Sequence, residues 1–146
     1  MPSARKRPPE DQLLPIHRET IFVDRSLGAS IVPEALRAAG LTVVTMREHY
    51  GEAAGARTAD VDWIADVGHR GWVAFHKDDN IRRKAEEIAA VEAHSLRMFV
   101  ITNANLTGAA MAQRYVVNLA RISRAARKAG PFIYGVYDDE LKRLHP

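Results

Sequence analysis

This sequence predicts a three-layer α/β sandwich around a mostly parallel sheet, and three observations predict it. Short β-branched or aromatic runs alternate with segments of helical periodicity. Gly40, Gly71 and Gly130 stand where a helix must stop before the next apolar run. The chain has 146 residues, 47% of them apolar and 27% charged, which is enough for one core and leaves little room for a second. Alternating strands and helices require right-handed crossovers, so helices should cover both faces of a sheet of roughly five strands.

Order should begin at Thr20. Residues 1–19 read as a flexible basic lead-in and residues 20–146 as the folded domain. The opening stretch carries Arg5, Lys6 and Arg7 among prolines and acids, without the apolar run or cleavage site of a secretory signal. Deleting Met1 to Ile16 should therefore cost little stability. Thr20 to Asp24 is a short buried strand ending on an acid. Pro33 sits where a helix would start, and Gly40 ends it before a second strand, Leu41 to Thr45. Arg47 to Arg57, rich in Gly and Ala, reads as a mobile loop. A helix from Asp60 to Arg70 leads through Gly71 into the strand Trp72 to His76, with Trp63 and Trp72 read as core. A charged helix, Ile81 to Ala93, joins this to the strand Leu96 to Thr102. One long helix then runs to about Ala129, and Phe132 to Tyr137 is the last strand.

Composition removes several classes of function. Without cysteine there are no disulfides, thiolate zinc sites or cysteine nucleophiles, and a reducing, cytoplasmic setting is expected. No segment offers the roughly 20 apolar residues of a membrane span, so no membrane partner is expected. The six histidines show no helical metal spacing; His76, at a strand end, is the one near a candidate site. No phosphate-cradling glycine loop occurs. The net charge of +3 permits nucleic-acid contact without requiring it.

In open sheets ligands gather beyond the carboxyl ends of the strands. Asp24 ends the first strand, Asp78 follows the third, and Asp60 opens the helix after the second, so all three can face one crevice. Carboxylates converging without an evident counter-cation repel each other, and a hard divalent ion, Mg2+ or Mn2+, is the usual relief. Such an ion suits phosphodiester hydrolysis. The local alternative is that Asp60 merely caps its helix, with Asp62 compensating the helix dipole and Asp79 a solvated neighbour.

The run Phe22-Val23-Asp24-Arg25-Ser26-Leu27-Gly28 resembles the opening of PIN-like nucleases. Asp60-Val61-Asp62-Trp63-Ile64 and Gly71-Trp72-Val73-Ala74-Phe75-His76-Lys77-Asp78 continue that pattern. Ile81-Arg82-Arg83, Leu106-Thr107-Gly108 and Gly130-Pro131-Phe132-Ile133 are similar to a VapC-like branch, and the resemblance covers roughly Ile21 to Leu144. It implies a metal-dependent endoribonuclease acting on single-stranded or structured RNA, the toxin of a pair silenced by a small antitoxin protein, with a homodimer as a possible assembly. Asp24, Asp60 and Asp78 match the acidic positions, with Asp62 as a further candidate ligand. The usual fourth acid is missing after the fourth strand, where Asn103 could offer a neutral oxygen.

Basic residues provide a candidate RNA path. Arg114, Arg121, Arg124 and Lys128 share one stripe of an acid-free helix, and Lys77, Arg82 and Arg83 flank Asp78. The competing reading of the stripe is a solvated face with cations near a helix C-terminus. Two other functions fit parts of the pattern. One is a PIN-like scaffold without turnover, binding RNA or protein. The other is a phosphoacceptor receiver, which would need an acidic pair after the first strand where Asp24 is followed by Arg25.

Overall fold

Strand β1 (Thr20–Val23) starts the sheet and pairs in parallel with β2 (Thr42–Thr45) on one side and β3 (Val73–Lys77) on the other. β4 (Arg97–Ile101) and β5 (Phe132–Val136) continue the parallel ladder outward. β6 (Leu141–His145) closes it antiparallel, giving the order β2-β1-β3-β4-β5-β6. The computed structural model describes residues 8–9, 13–103 and 105–146. Strand order reverses between β1 and β3, which in a doubly wound sheet opens a crevice at their carboxyl ends.

Side chains alternate across the pleat and build two cores. On one face Ile21, Val23, Phe75 and Phe99 pack under α1 (Ile31–Ala38), α6 (Gly108–Val117) and α7 (Leu119–Ala126). There the rings of Phe75 and Tyr115 stack at 4.3 Å. On the other face Phe22, Ala74, Met98 and Val100 meet Trp63, Ile64 and Val67 of α4 (Asp60–Arg70) and Val91 of α5 (Ala85–Ala93). Among the described residues no helix is long and apolar enough to cross a membrane.

Four elements differ from the sequence expectation. Arg47 to Arg57 is helical, as α2 (Met46–Tyr50) and α3 (Glu52–Arg57). Thr45 and Glu48 form a reciprocal capping box that starts α2, and Gly51, at φ +89, turns the chain into α3. Gly55 packs so close to α2 that a Cβ would stand 3.2 Å from the Met46 carbonyl oxygen. The long C-terminal helix is broken at Asn118. This fully buried asparagine donates Nδ2 to the Arg114 and Tyr137 carbonyls, satisfying an amide that a continuous apolar face could not. The charged segment Leu-Lys-Arg-Leu-His, with no β-branched residue, forms the sixth strand because it has only to pair along one edge of β5.

The fourth difference lies before Thr20, where the sequence predicts lead-in. Ile16 is fully buried, and its N–H donates to Ser123 Oγ at 3.1 Å. His17 is buried too: Nδ1 accepts from the Leu14 N–H, and Nε2 donates to the Ala39 carbonyl at 3.0 Å. Glu19 receives both Arg97 Nη atoms, at 2.8 and 3.0 Å. The packed structure therefore starts at least at Leu14. Residues 1–7 and 10–12 of the expected lead-in lie outside the described residues.

A second polar cluster ties α2 to α4. Asp66 accepts from Tyr50 Oη at 2.6 Å, bonds His49 Nε2 at 2.9 Å and receives Arg70 Nε at 2.8 Å. Arg70 in turn lies 5.1 Å over the half-buried Trp72 ring.

Candidate metal centre

Asp24 leaves β1 at the switch point. Its N–H still reaches the Phe75 carbonyl, while its carboxylate caps the turn Arg25–Leu27 by accepting from the Ser26 N–H and hydroxyl, the latter at 2.6 Å. The same Oδ2 lies 2.9 Å from His76 Nδ1. Burial alone would raise the Asp24 pKa, but the His76 hydrogen bond and charge, with the bonds from Ser26, hold it below the ordinary carboxylate range.

His76, buried near the end of β3, is fixed on one side by Asp24 and packed edge-on against Trp63 at 5.2 Å. Its Nε2 points at Asp78 Oδ2 across 3.6 Å, an ion-pair distance. Burial disfavours the imidazolium, yet Asp24, then Asp78 and the charge of Asp60, outweigh it and raise the pKa to about 9. The surrounding carboxylates thus favour the protonated ring.

Asp78 follows β3 directly, bonding the Ile101 carbonyl through its N–H. Its Oδ1 accepts from the Asn80 N–H and its Oδ2 from Lys84 Nζ at 2.7 Å. Burial works against its ionisation. His76, Lys84 and the Asn80 amide overcome that and keep it ionised well below the usual range.

Asp60 is not a cap. Ala59 holds that position, and Asp60 Oδ1 instead accepts the indole N–H of Trp63 at 2.9 Å. Glu87, in the first turn of α5, completes the group. Asp60, His76, Asp78 and Glu87 each offer one ligand atom, and these atoms lie within 4.8 Å of one another. The Glu87 pKa is raised by burial first and by the charge of Asp60 next, with Lys84 opposing.

Three buried side-chain polar atoms lack a hydrogen-bond partner among the described residues: Asp24 Oδ1, His76 Nε2 and Glu87 Oε1. All belong to this one site, whereas buried polar atoms are ordinarily paired. The Asp60, Asp78 and Glu87 carboxylates suit a hard divalent ion, and an ion held among them would supply the partner that Glu87 Oε1 lacks.

The sequence reading names residues that the structure sorts into separate places. Asp60 and Asp78 meet, but Asp24 stands behind His76 and is not in the four-residue group. The counter-cations it judged absent are His76 and Lys84. Asp62 is exposed and outside the group, and the exposed Asn103 spends its side-chain oxygen on the Asn105 N–H. The group holds a further acid, Glu87, which the sequence reading does not single out. Its only sequence signal is a place in the first turn of the helix after Asp78, where a dipole-compensating glutamate looks the same.

Nor do the cations form one track. Arg114 is drawn to the Val136 carbonyl and Asp138, and Arg121 to Asn118. α6 leaves the crevice edge, so Arg124 and Lys128 lie at the opposite edge, where the Ala126 carbonyl accepts from Arg97 at the start of β4. Lys77 and Arg83 remain near Asp78; the Arg82 side chain lies outside the described residues. Arg25 is structural here: Nη1 donates to the Gly55 and Thr58 carbonyls at 3.1 and 2.9 Å, tying the Asp24 turn to the segment entering Asp60.

Residues 20–103 match the family model described as PIN like domain. Over 124 residues the chain is 48% identical to a Mycobacterium tuberculosis (strain ATCC 25618 / H37Rv) protein named "Putative ribonuclease VapC45". That alignment covers 85% of this chain and 90% of the relative. No solved structure matches the chain.

Proposed function

The chain belongs to the PIN-like domain family, and from that premise we propose that it is a divalent-metal-dependent endoribonuclease whose reaction centre is the crevice between β1 and β3. One observation carries this reading: Asp60, His76, Asp78 and Glu87 bring ligand atoms within 4.8 Å of one another, and the buried Glu87 Oε1 among them has no hydrogen-bond partner among the described residues. Asp60, Asp78 and Glu87 are the oxygen donors for Mg2+ or Mn2+. A cation bound there would stabilise charge on a phosphodiester and lower the pKa of an attacking water.

The residues around the donors have separate tasks. Asp24 and Ser26 hold the His76 ring in one orientation. His76 and Lys84 face Asp78 and offset part of the carboxylate repulsion. Trp63 fixes Asp60 by its indole N–H. Lys77, next to Asp78 in the chain, and Arg83, five residues beyond it, are the cations proposed to meet an RNA backbone. The substrate is RNA, as the name of the relative suggests, and the partner a small antitoxin protein, as the resemblance to the VapC-like branch implies; a homodimer is the assembly to check by light scattering. Glu87 also weakens the case for a scaffold without turnover, since the motive for that reading was a missing fourth acid.

The test is cleavage of an end-labelled single-stranded RNA with Mn2+, with Mg2+ and with chelator. Cleavage that needs the cation and disappears in a folded Asp78→Asn protein supports the proposal. Equal cleavage in chelator overturns the metal dependence, and equal cleavage by the variant overturns the site.

A further inference from the structure

The residues that follow Asp78 open onto a cavity of about 330 Å3, lined by Asp79, Asn80, Ile81, Arg83, Thr102 and Tyr137. We infer that it is a subsite for one nucleobase of the RNA, flanking the phosphodiester that meets the carboxylates. The inference rests on the ribonuclease reading above.

The chemistry of the walls selects the occupant. Asp79 accepts hydrogen bonds, Asn80 both donates and accepts, and the Thr102 and Tyr137 hydroxyls do either. Ile81, 1% exposed, gives an apolar floor, and Tyr137 adds an aromatic wall. A planar heterocycle with donors and acceptors on its edge matches this set, and single-stranded RNA is read through such splayed bases. An inorganic anion does not match, because the Asp79 carboxylate would repel it. Arg83, exposed at the rim, suits the adjoining phosphate.

Position and rigidity agree with this assignment. The Asn80 N–H donates to Asp78 Oδ1, so the cavity begins at the residue pair that also holds a metal-donor carboxylate. Tyr137 is fixed before any ligand arrives. Its carbonyl accepts from the buried Asn118 Nδ2 at 2.7 Å, and its N–H reaches the Glu140 carbonyl at 3.0 Å. Its ring lies over Gly135, where a Cβ would come within 2.8 Å of a ring carbon. Lys142 Nζ sits 5.1 Å from the ring centroid, an exposed cation that an incoming base can exchange places with.

The experiment measures fluorescence anisotropy of a labelled eight-nucleotide single-stranded RNA of mixed sequence, in chelator, for the parent, Tyr137→Leu and Asn80→Ala. Melting temperature and Mn2+ titration accompany each protein. In parallel, Mn2+-driven cleavage of a randomised RNA reads base preference at each position around the cut. We expect about tenfold weaker RNA binding in Tyr137→Leu, within the range for losing one aromatic contact to a base. Mn2+ affinity should be unchanged, and base preference should be lost at a single position beside the cut. Asn80→Ala should reduce that preference too, and it carries the test if Tyr137→Leu fails to fold. Unchanged RNA affinity in folded variants, or a parent that binds no RNA, overturns the subsite. A parent that binds RNA through Tyr137 yet cuts nothing with Mn2+ upholds the subsite and overturns the ribonuclease reading.

Discussion

Two buried histidines stand at opposite edges of the same sheet, and they are treated differently. His17, at the amino edge, has both ring nitrogens engaged by backbone groups, Leu14 N–H on one side and the Ala39 carbonyl on the other, which fixes the neutral tautomer. His76, at the carboxyl edge, is engaged by Asp24 on one side only, and its Nε2 faces carboxylates without a hydrogen bond. Around His17 the polar groups are matched: Ser123 meets Ile16, and Arg97 divides its donors among Glu19, Gly71 and Ala126. Around His76 negative charge is in excess and three atoms are unpaired. A polar cluster that serves folding satisfies itself, whereas one that serves a ligand leaves valences open at some cost to stability.

Changing each edge in turn tests the contrast. Asp78→Asn should give the largest effect, a fall in Mn2+-driven RNA cleavage of about a hundredfold or more, because lost charge stabilisation acts on the transition state. Its melting temperature should drop slightly, since Lys84 and His76 lose their shared counter-ion. Wild-type cleavage rates in this variant would make the carboxyl edge no more functional than the amino one.

Ile16→Ala is the matching change at the amino edge. Removing a fully buried side chain should cost about 2–5 kcal/mol in urea unfolding, with cleavage per folded molecule intact. A loss of specific activity instead would couple the two edges. Glu87→Gln removes one of the crowded charges. Calorimetric titration should show Mn2+ bound about tenfold more weakly, and the protein without added cation should be as stable as the parent or slightly more so. Lower stability in chelator would mean that Glu87 is a structural partner.

The smallest effect is expected at Asp66, a cluster of the satisfied kind. Burial raises its pKa, but hydrogen bonds from Tyr50, Arg70 and His49 overcome this and bring it to about 2, from an ordinary 3.8. A depressed carboxyl contributes stability that is complete above its unfolded value and lost as pH falls through its folded one. Stability from Asp66, about 1 kcal/mol after solvent screening, should therefore be present at neutral pH and disappear between about pH 4 and 2. Melting curves of Asp66→Asn over that range should lose this part of the acid limb. A limb identical to the parent's would show that Asp66 makes no net contribution.

The parallel sheet and its strand-end acids were legible because each strand advertises itself locally: Thr20 to Asp24 ends on a carboxylate, and Trp72 to His76 has one two residues beyond it. What escaped depends on partners distant in sequence. Ile16 needs Ser123, Asn118 needs Tyr137, and β6 needs β5, and none of these contacts leaves a period in the chain. The charge balance at Asp78 is hidden in the sequence for the same reason. Counting nearby acids suggests relief of repulsion on neutralisation, but Lys84 and His76 already face that carboxylate.

The outer strand β6 also bears on self-association. A sheet edge exposes unpaired amides and carbonyls that invite another chain to add itself, and flat apolar edges are where aggregation begins. β6 places the exposed Lys142 and Arg143 on that border, and a register irregularity between Ile133 and Tyr134 distorts its pairing with β5. A second copy approaching this border would meet like charges and a distorted strand. The protein is thus guarded against fibre-like stacking on the very side where its sheet would otherwise be easiest to extend.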